Sequence, residues 1–427
     1  LIYACGRVLD HARGAGRDRF GIGALAALLF TLTPFQVYFS VEARPYALLA
    51  FGAALLTLAC LTTVRSIQTP ERRLAFGWMD RMPVGSWVML LVGALIVVWT
   101  NNTAVLILGS VSVAFIVLWI CDADSRSMTV PVVVAGVVVA LLWAPDWPVL
   151  LAQAREVTDE FWIQPPSFEG ITFELHNLIG LDVLRWTWWI ALAMAGGLLL
   201  IWRRIGGRWG VMVAALAVLP IALNIGISYA MKPILISRAM IGATPALTLA
   251  LAAAVILLRA RSLRVVVALG LVGIHLFALG RYVSADHVKE PWKPVVARLA
   301  ATAPHAPILV VPNELVMPLQ HEAKMQNVAV RVQGLPADYP APGMTARYPS
   351  GKCAPSVVGQ DLSLLMRGLA SEPLVVLLTR RNNTYDLQEA MPAALRAAGF
   401  VLQGEDIYQP GDLRVMRFAR RDTSPAH

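Results

Sequence analysis

Charge is scarce in this chain. Of 427 residues only 15% are Asp, Glu, Lys or Arg, while 57% are hydrophobic. A soluble domain carries about one-quarter charged residues, so the shortage excludes an ordinary water-soluble protein over most of the length. Cysteine is scarce as well. Cys5, Cys60, Cys121 and Cys353 lie far apart and none forms a CxxC, which excludes a disulfide framework or a thiolate zinc site. The opening residues lack the charged start, short apolar core and small-residue cleavage site of a signal peptide. They read as the tail of a helix, so the expectation is a truncation inside that helix. The net charge of +9 calls for no nucleic acid, because basic loops on one side of a bilayer account for it.

What the chain has in quantity is apolar runs. A helix crossing a bilayer needs roughly 17–25 apolar residues. Nine stretches meet or approach that length: 20–39, 46–64, 84–100, 103–121, 128–145, 186–202, 209–230, 239–258 and 263–282. Residues 1–9 read as the end of a tenth. Fifteen arginines fall in one set of loops, among them Arg65, Arg72, Arg73, Arg203, Arg204 and Arg208. The opposite set holds five basic residues: Arg44, Arg155, Arg185, Lys232 and Arg238. The richer side is expected to be cytoplasmic, which places everything after about residue 283 outside.

That last block changes character. "APILVVP", "VAVRV", "PLVVLLT" and "LRVMRFA" read as short buried strands, and "EPWKPVVARLAATA" and "DLQEAMPAALRAAG" as helices. In the first helix Trp292, Val295, Val296 and Leu299 share one face. With Lys289 and Lys293, Trp292 suits a helix lying at the headgroup level. The expectation is a small α/β domain with a long Pro- and Gly-rich loop over 334–358. No glycine-rich phosphate loop or catalytic triad occurs in it. The division is therefore 1–282, a transmembrane domain with an outer loop at about 146–185, and 283–427, an extracytoplasmic α/β domain.

The polar residues of the first part gather towards the outer side, around "FSVEARPYALLAF". Arg44 and Lys232 have a bland reading as interface anchors. The other reading starts from Pro45, which suits the first position of a helix and pushes Arg44 towards an extended backbone. A helix start favours an anion, and arginine adds a fork that holds phosphate bidentately. Glu42 can orient that fork and Tyr46 can add a hydroxyl.

"FTLTPFQVYFSVEARPYALLAF" closely resembles a segment of the GT-C membrane glycosyltransferases: the lipid A aminoarabinose transferases, protein mannosyltransferases and polyprenyl-phosphate galacturonate transferases. Pro34, Tyr38, Ser40, Glu42, Ala43, Arg44 and Tyr46 match, with Phe39 inserted between Tyr38 and Ser40. "KPILISRAMIGATPALTLALAAA" is similar to a second segment, through Lys232, Arg238 and Pro245. The loop from Pro145 to Gly180 is of a kind these enzymes place on the outer face. The resemblance implies transfer of a sugar from a polyprenyl-phosphate donor to a glycolipid, glycan or protein acceptor of the cell envelope, such as lipopolysaccharide, at the bacterial inner membrane. It implies that Arg44, Tyr46, Lys232 and Arg238 bind the donor phosphate, with Glu42 in support. It implies an acidic base in the first outer loop, which is expected upstream of residue 1, so the fragment is expected to lack its catalytic carboxylate. No cofactor or metal is implied.

Other residues stay open between roles. Trp162 suits a sugar, an isoprenyl unit or an interface belt, and Gln164 and His176 suit a sugar or acceptor hydroxyl or plain solvation. Glu156, Asp159, Glu160, Glu169 and Glu174 read as a solvated charge run rather than a metal site. Asn101 and Asn102 face the site or close a turn. The competing function is a transporter or flippase of a lipid-linked or anionic substrate.

Overall fold

The computed structural model describes residues 1–15, 20–42, 45–68, 83–148, 150–151, 166–179, 184–231, 233–284, 290–335, 362–380, 386, 389–409 and 412–421, with backbone alone at 68 and 184–186. The chain divides after Tyr282 into two compact units.

The first unit is helical. In chain order it contains α1 (Ile2–Ala12), α2 (Ile22–Leu32), α3 (Pro34–Val41), α4 (Tyr46–Gln68), α5 (Val84–Thr100), α6 (Val105–Cys121), α7 (Thr129–Trp143), α8 (Phe168–Ile179), α9 (Leu184–Arg204), α10 (Gly207–Ala230), α11 (Thr244–Ile256) and α12 (Arg261–Ser284). Helices are the natural outcome for such apolar runs, since a helix satisfies its backbone polar groups without water. Among the described residues six stretches are long and apolar enough to cross a membrane: Tyr46–Ile67, Asn102–Cys121, Ala123–Asp146, Gly207–Ala230, Ser237–Ile256 and Arg261–Ser284. A seventh is reached if the bent pair α2–α3 is one span. This is fewer than the nine read from sequence. The two remaining runs form α5, whose 17 residues are at the lower bound for a crossing, and α9, which ends in Arg203 and Arg204.

The run expected to be one helix over 20–39 is broken, with a bend of 58° between α2 and α3. The cause is Pro34 at the start of α3. Proline has no N–H to continue the ladder and drives the residue before it into an extended conformation. Thr33 accordingly has ψ 119°, and its hydroxyl donates to the Leu29 carbonyl at 2.8 Å.

Close backbone approaches join helices of the bundle, two of them at Gly197 and Gly93. A methyl group at Gly197 on α9 would overlap the Ala250 carbonyl oxygen of α11, and one at Gly93 on α5 would lie 3.1 Å from the Gly52 carbonyl oxygen of α4. Small residues at such crossings let helices pack where lipid supplies no hydrophobic drive. α4 and the stretch ending in α11 are the most enclosed, whereas α12 exposes Val266, Leu269 and Phe277. Polar contacts fix the ends. The fully buried Asp10 carboxylate accepts from the N–H groups of Ile22 and Gly23 at 3.0 and 3.2 Å. It thereby caps the start of α2 from another helix. Arg208 joins Asp122 and Asp124 at 2.6 Å each. Burial pushes the Asp122 carboxyl up, but hydrogen bonds from Ser125 and Arg208 outweigh it and hold it below its ordinary range.

The second unit runs α13 (Trp292–Thr302), β1 (Pro307–Val311), α14 (Val316–Met325), β2 (Arg331–Gly334), α15 (Ser363–Gly368), β3 (Leu374–Arg380), α16 (Ala390–Ala397), β4 (Phe400–Tyr408) and β5 (Leu413–Arg420). The sheet order is β2-β1-β3-β5-β4, parallel from β2 to β3 and antiparallel across β5 and β4. α13 and α14 cover one face, with Val295, Val296 and Leu319 against Ile308, Val310 and Val376. α15 and α16 cover the other, with Met391 and Leu395 against Leu309, Leu377 and Phe418. The apolar face of α13 is therefore used on the sheet rather than on a membrane surface. Trp292 donates its indole N–H to Glu290 at 3.1 Å. Arg417 and then Arg298 bond the Asp406 carboxylate and hold it below its usual range. The loop expected over 334–358 lies outside the described residues beyond 335.

Candidate functional site

At one end of the helical unit α3, the first turn of α4, α8 and the 3₁₀ segment Ser237–Ala243 pack together. Each is placed by a local rule. The Pro45 carbonyl accepts the Leu49 N–H at 2.9 Å, so α4 begins at Tyr46 with Pro45 immediately before it, one residue later than the sequence reading. Glu42 ends α3 in an extended conformation, with ψ 134°. Pro245 lies in the first turn of α11, a position that needs no N–H partner.

The side chains form a connected set. Phe39 stands edge-on to Phe35 at 4.8 Å and to Tyr46 at 4.9 Å between ring centroids. The Arg238 guanidinium lies over the Tyr46 ring at 5.9 Å, within cation–π range. Beside the hydroxyl read from sequence, Tyr46 thus presents its ring to Arg238. The inserted Phe39 also gains a reason. It takes the buried place, while Tyr38 is 43% exposed with its ring 6.4 Å from that of Tyr282.

Glu174 is the residue the sequence reading missed. It had been assigned to a solvated charge run, yet its Oε2 accepts the Ser237 N–H at 2.5 Å. A carboxylate from α8 thus fixes the backbone one residue before Arg238. The signal was hidden because the partners are 63 residues apart in sequence. Gln36 on α3 adds a second tie, donating to the Thr244 hydroxyl at 2.9 Å. His176 is buried inside α8, with Nδ1 2.6 Å from the Thr187 hydroxyl of α9. That bond joins two helices. Asn101 accepts from the Thr103 N–H and hydroxyl at 2.9 and 2.8 Å and closes its turn.

Arg44, Lys232, Trp162 and Gln164 lie outside the described residues, as do Glu156, Asp159 and Glu160. Glu169 is exposed in the first turn of α8. Among the described residues no group of three or more His, Cys, Asp or Glu is arranged to hold a metal ion. What the arrangement offers is a guanidinium on a fixed backbone, set against an aromatic face beside a helix start. Such a group pairs with an anionic oxygen. No protein-family model matches the chain, and no curated protein matches it.

Proposed function

We propose that the chain is a membrane glycosyltransferase of GT-C type, taking a sugar from a polyprenyl-phosphate donor to a cell-envelope acceptor at the outer face of the bacterial inner membrane. One observation carries the reading. Tyr46 and Arg238, from two of the three segments on which the resemblance rests, meet at one end of one unit, and Glu174, from the third, holds the Ser237 backbone beside Arg238. Arg44, adjoining the start of α4, and Arg238 stabilise the phosphate as it leaves the sugar. Lys232, six residues before Arg238 in the chain, adds a third cation. Glu42 supports Arg44, and a carboxylate base removes the acceptor's proton. The arginine asymmetry between loops supports a cytoplasmic location for the opposite end and an extracytoplasmic one for the second unit.

Binding of a polyprenyl phosphate to the chain in nanodiscs tests this. Losing a hydrogen bond to a charged group costs about 1.5–3 kcal/mol, so Arg44→Ala and Arg238→Ala should each weaken binding by roughly ten- to a hundredfold. Arg44→Lys should recover part of the loss. Wild-type affinity in both alanine variants would reduce these arginines to interface anchors.

The 58° break between α2 and α3 favours a second reading, since broken helices at membrane depth are a habit of transporters. A vesicle assay separates the two. Movement of an intact lipid-linked sugar between leaflets identifies a transporter; cleavage of the sugar–phosphate bond identifies a transferase.

A further inference from the structure

A carboxylate base has to be fixed in place and still keep an oxygen that can take a proton. Glu174 meets both conditions. Its Oε2 accepts the Ser237 N–H at 2.5 Å, which anchors the group to the segment that carries Arg238. A carboxylate has a second oxygen able to accept, and among the described residues nothing bonds Oε1 of Glu174. The side chain is half-buried and makes no ion pair with a described residue, so no guanidinium ties it up.

The elements on both sides of this contact are held. His176, two residues further along α8, meets the Thr187 hydroxyl of α9 at 2.6 Å. At the far end of the 3₁₀ segment Gln36 donates to the Thr244 hydroxyl at 2.9 Å. Other acids at this end are placed differently. Glu169 is exposed in the first turn of α8, five residues earlier and therefore about 140° round the helix from Glu174. Glu42 is assigned to Arg44 in the reading above.

Resting on the transferase reading, we propose that Glu174 is the general base, in place of an acid in the first outer loop. Its Oε1 takes the acceptor's hydroxyl proton as that hydroxyl oxygen bonds to the anomeric carbon of the sugar. The bond from this carbon to the phosphate oxygen breaks, and its electron pair leaves with the phosphate beside Arg238. The proton then passes from Glu174 to water. In an inverting displacement the base and the leaving group stand on opposite faces of the sugar. Two groups on separate elements, joined through one backbone N–H and not paired with each other, suit that separation.

The full chain in nanodiscs tests this with undecaprenyl phosphate carrying aminoarabinose, galacturonic acid or mannose. Lipopolysaccharide and a threonine-rich peptide serve as acceptors, and donor binding is measured separately from cleavage of the sugar–phosphate bond. Glu174→Gln keeps an oxygen for the Ser237 N–H but cannot take a proton. It should bind donor as wild type does and transfer at least about a hundredfold more slowly. The fall of wild-type kcat/KM towards acid pH should be absent from it. Glu174→Asp, which keeps the carboxylate, should outpace Glu174→Gln; equal loss in both would reduce Glu174 to a structural contact and overturn the proposal. Transfer by Glu174→Gln at the wild-type rate overturns it too, as does a wild-type chain that binds a donor and cleaves none. If wild type binds no donor, the transferase reading itself fails, and this assignment with it.

Discussion

Asp10 shows how much one buried carboxylate organises. With no exposed surface it satisfies two N–H groups at the start of α2 and pairs with Arg13 at 3.1 Å. Asp10→Ala leaves both donors buried without their partner, at about 1–3 kcal/mol for a stranded group. The variant should therefore unfold at a clearly lower denaturant concentration than wild type; an unchanged midpoint would mean that water replaces the carboxylate. Nothing in the sequence marked this role. Asp10 sits at the border of an apolar run and a basic loop, and the N–H groups it serves are 12 and 13 residues away. Glu174 was illegible for the same reason. A carboxylate that caps a distant backbone looks in sequence like any solvated acid.

At the scale of elements the apolar runs were readable because a bilayer-length helix is a one-dimensional property of composition. Their interruptions were less so. Pro34 was noted as part of a motif, but only the extended Thr33 before it shows that the helix ends there. In the second unit the buried strands β1 and β3 stood out as continuous apolar runs. In the edge strand β4 only Phe400 is buried and the rest of "FVLQGEDIY" alternates exposed and half-buried positions, and its Gln, Glu and Asp disguised it. Packing between α9 and α11 gives a paired prediction. A side chain at Gly197 meets the Ala250 backbone, which cannot give way, whereas one at the neighbouring Gly196 meets nothing within 4 Å. Gly197→Leu should cost about 1–3 kcal/mol or more through overpacking. Gly196→Ala should be neutral or gain up to about 1 kcal/mol from helix propensity. Thermal unfolding in detergent checks both, and equal tolerance at the two sites would contradict this packing.

For the whole molecule, the chain joins a bundle of apolar helices to a separate three-layer α/β unit, and the functional reading rests on the bundle alone. Composition made that division visible, because charge returns where the apolar runs stop. The site was legible in part. Motif residues named Tyr46 and Arg238, but their mutual placement, the aromatic role of Tyr46 and the tie through Glu174 needed three dimensions. The central claim is that this end of the bundle holds a polyprenyl-phosphate donor. Mass spectrometry of lipids extracted from the purified chain tests it most directly. A polyprenyl phosphate or its sugar ester should co-purify with wild type and be depleted at least tenfold in the Arg44→Ala, Arg238→Ala double variant. Recovery of ordinary phospholipids alone, or equal polyprenyl phosphate in both proteins, would contradict the account.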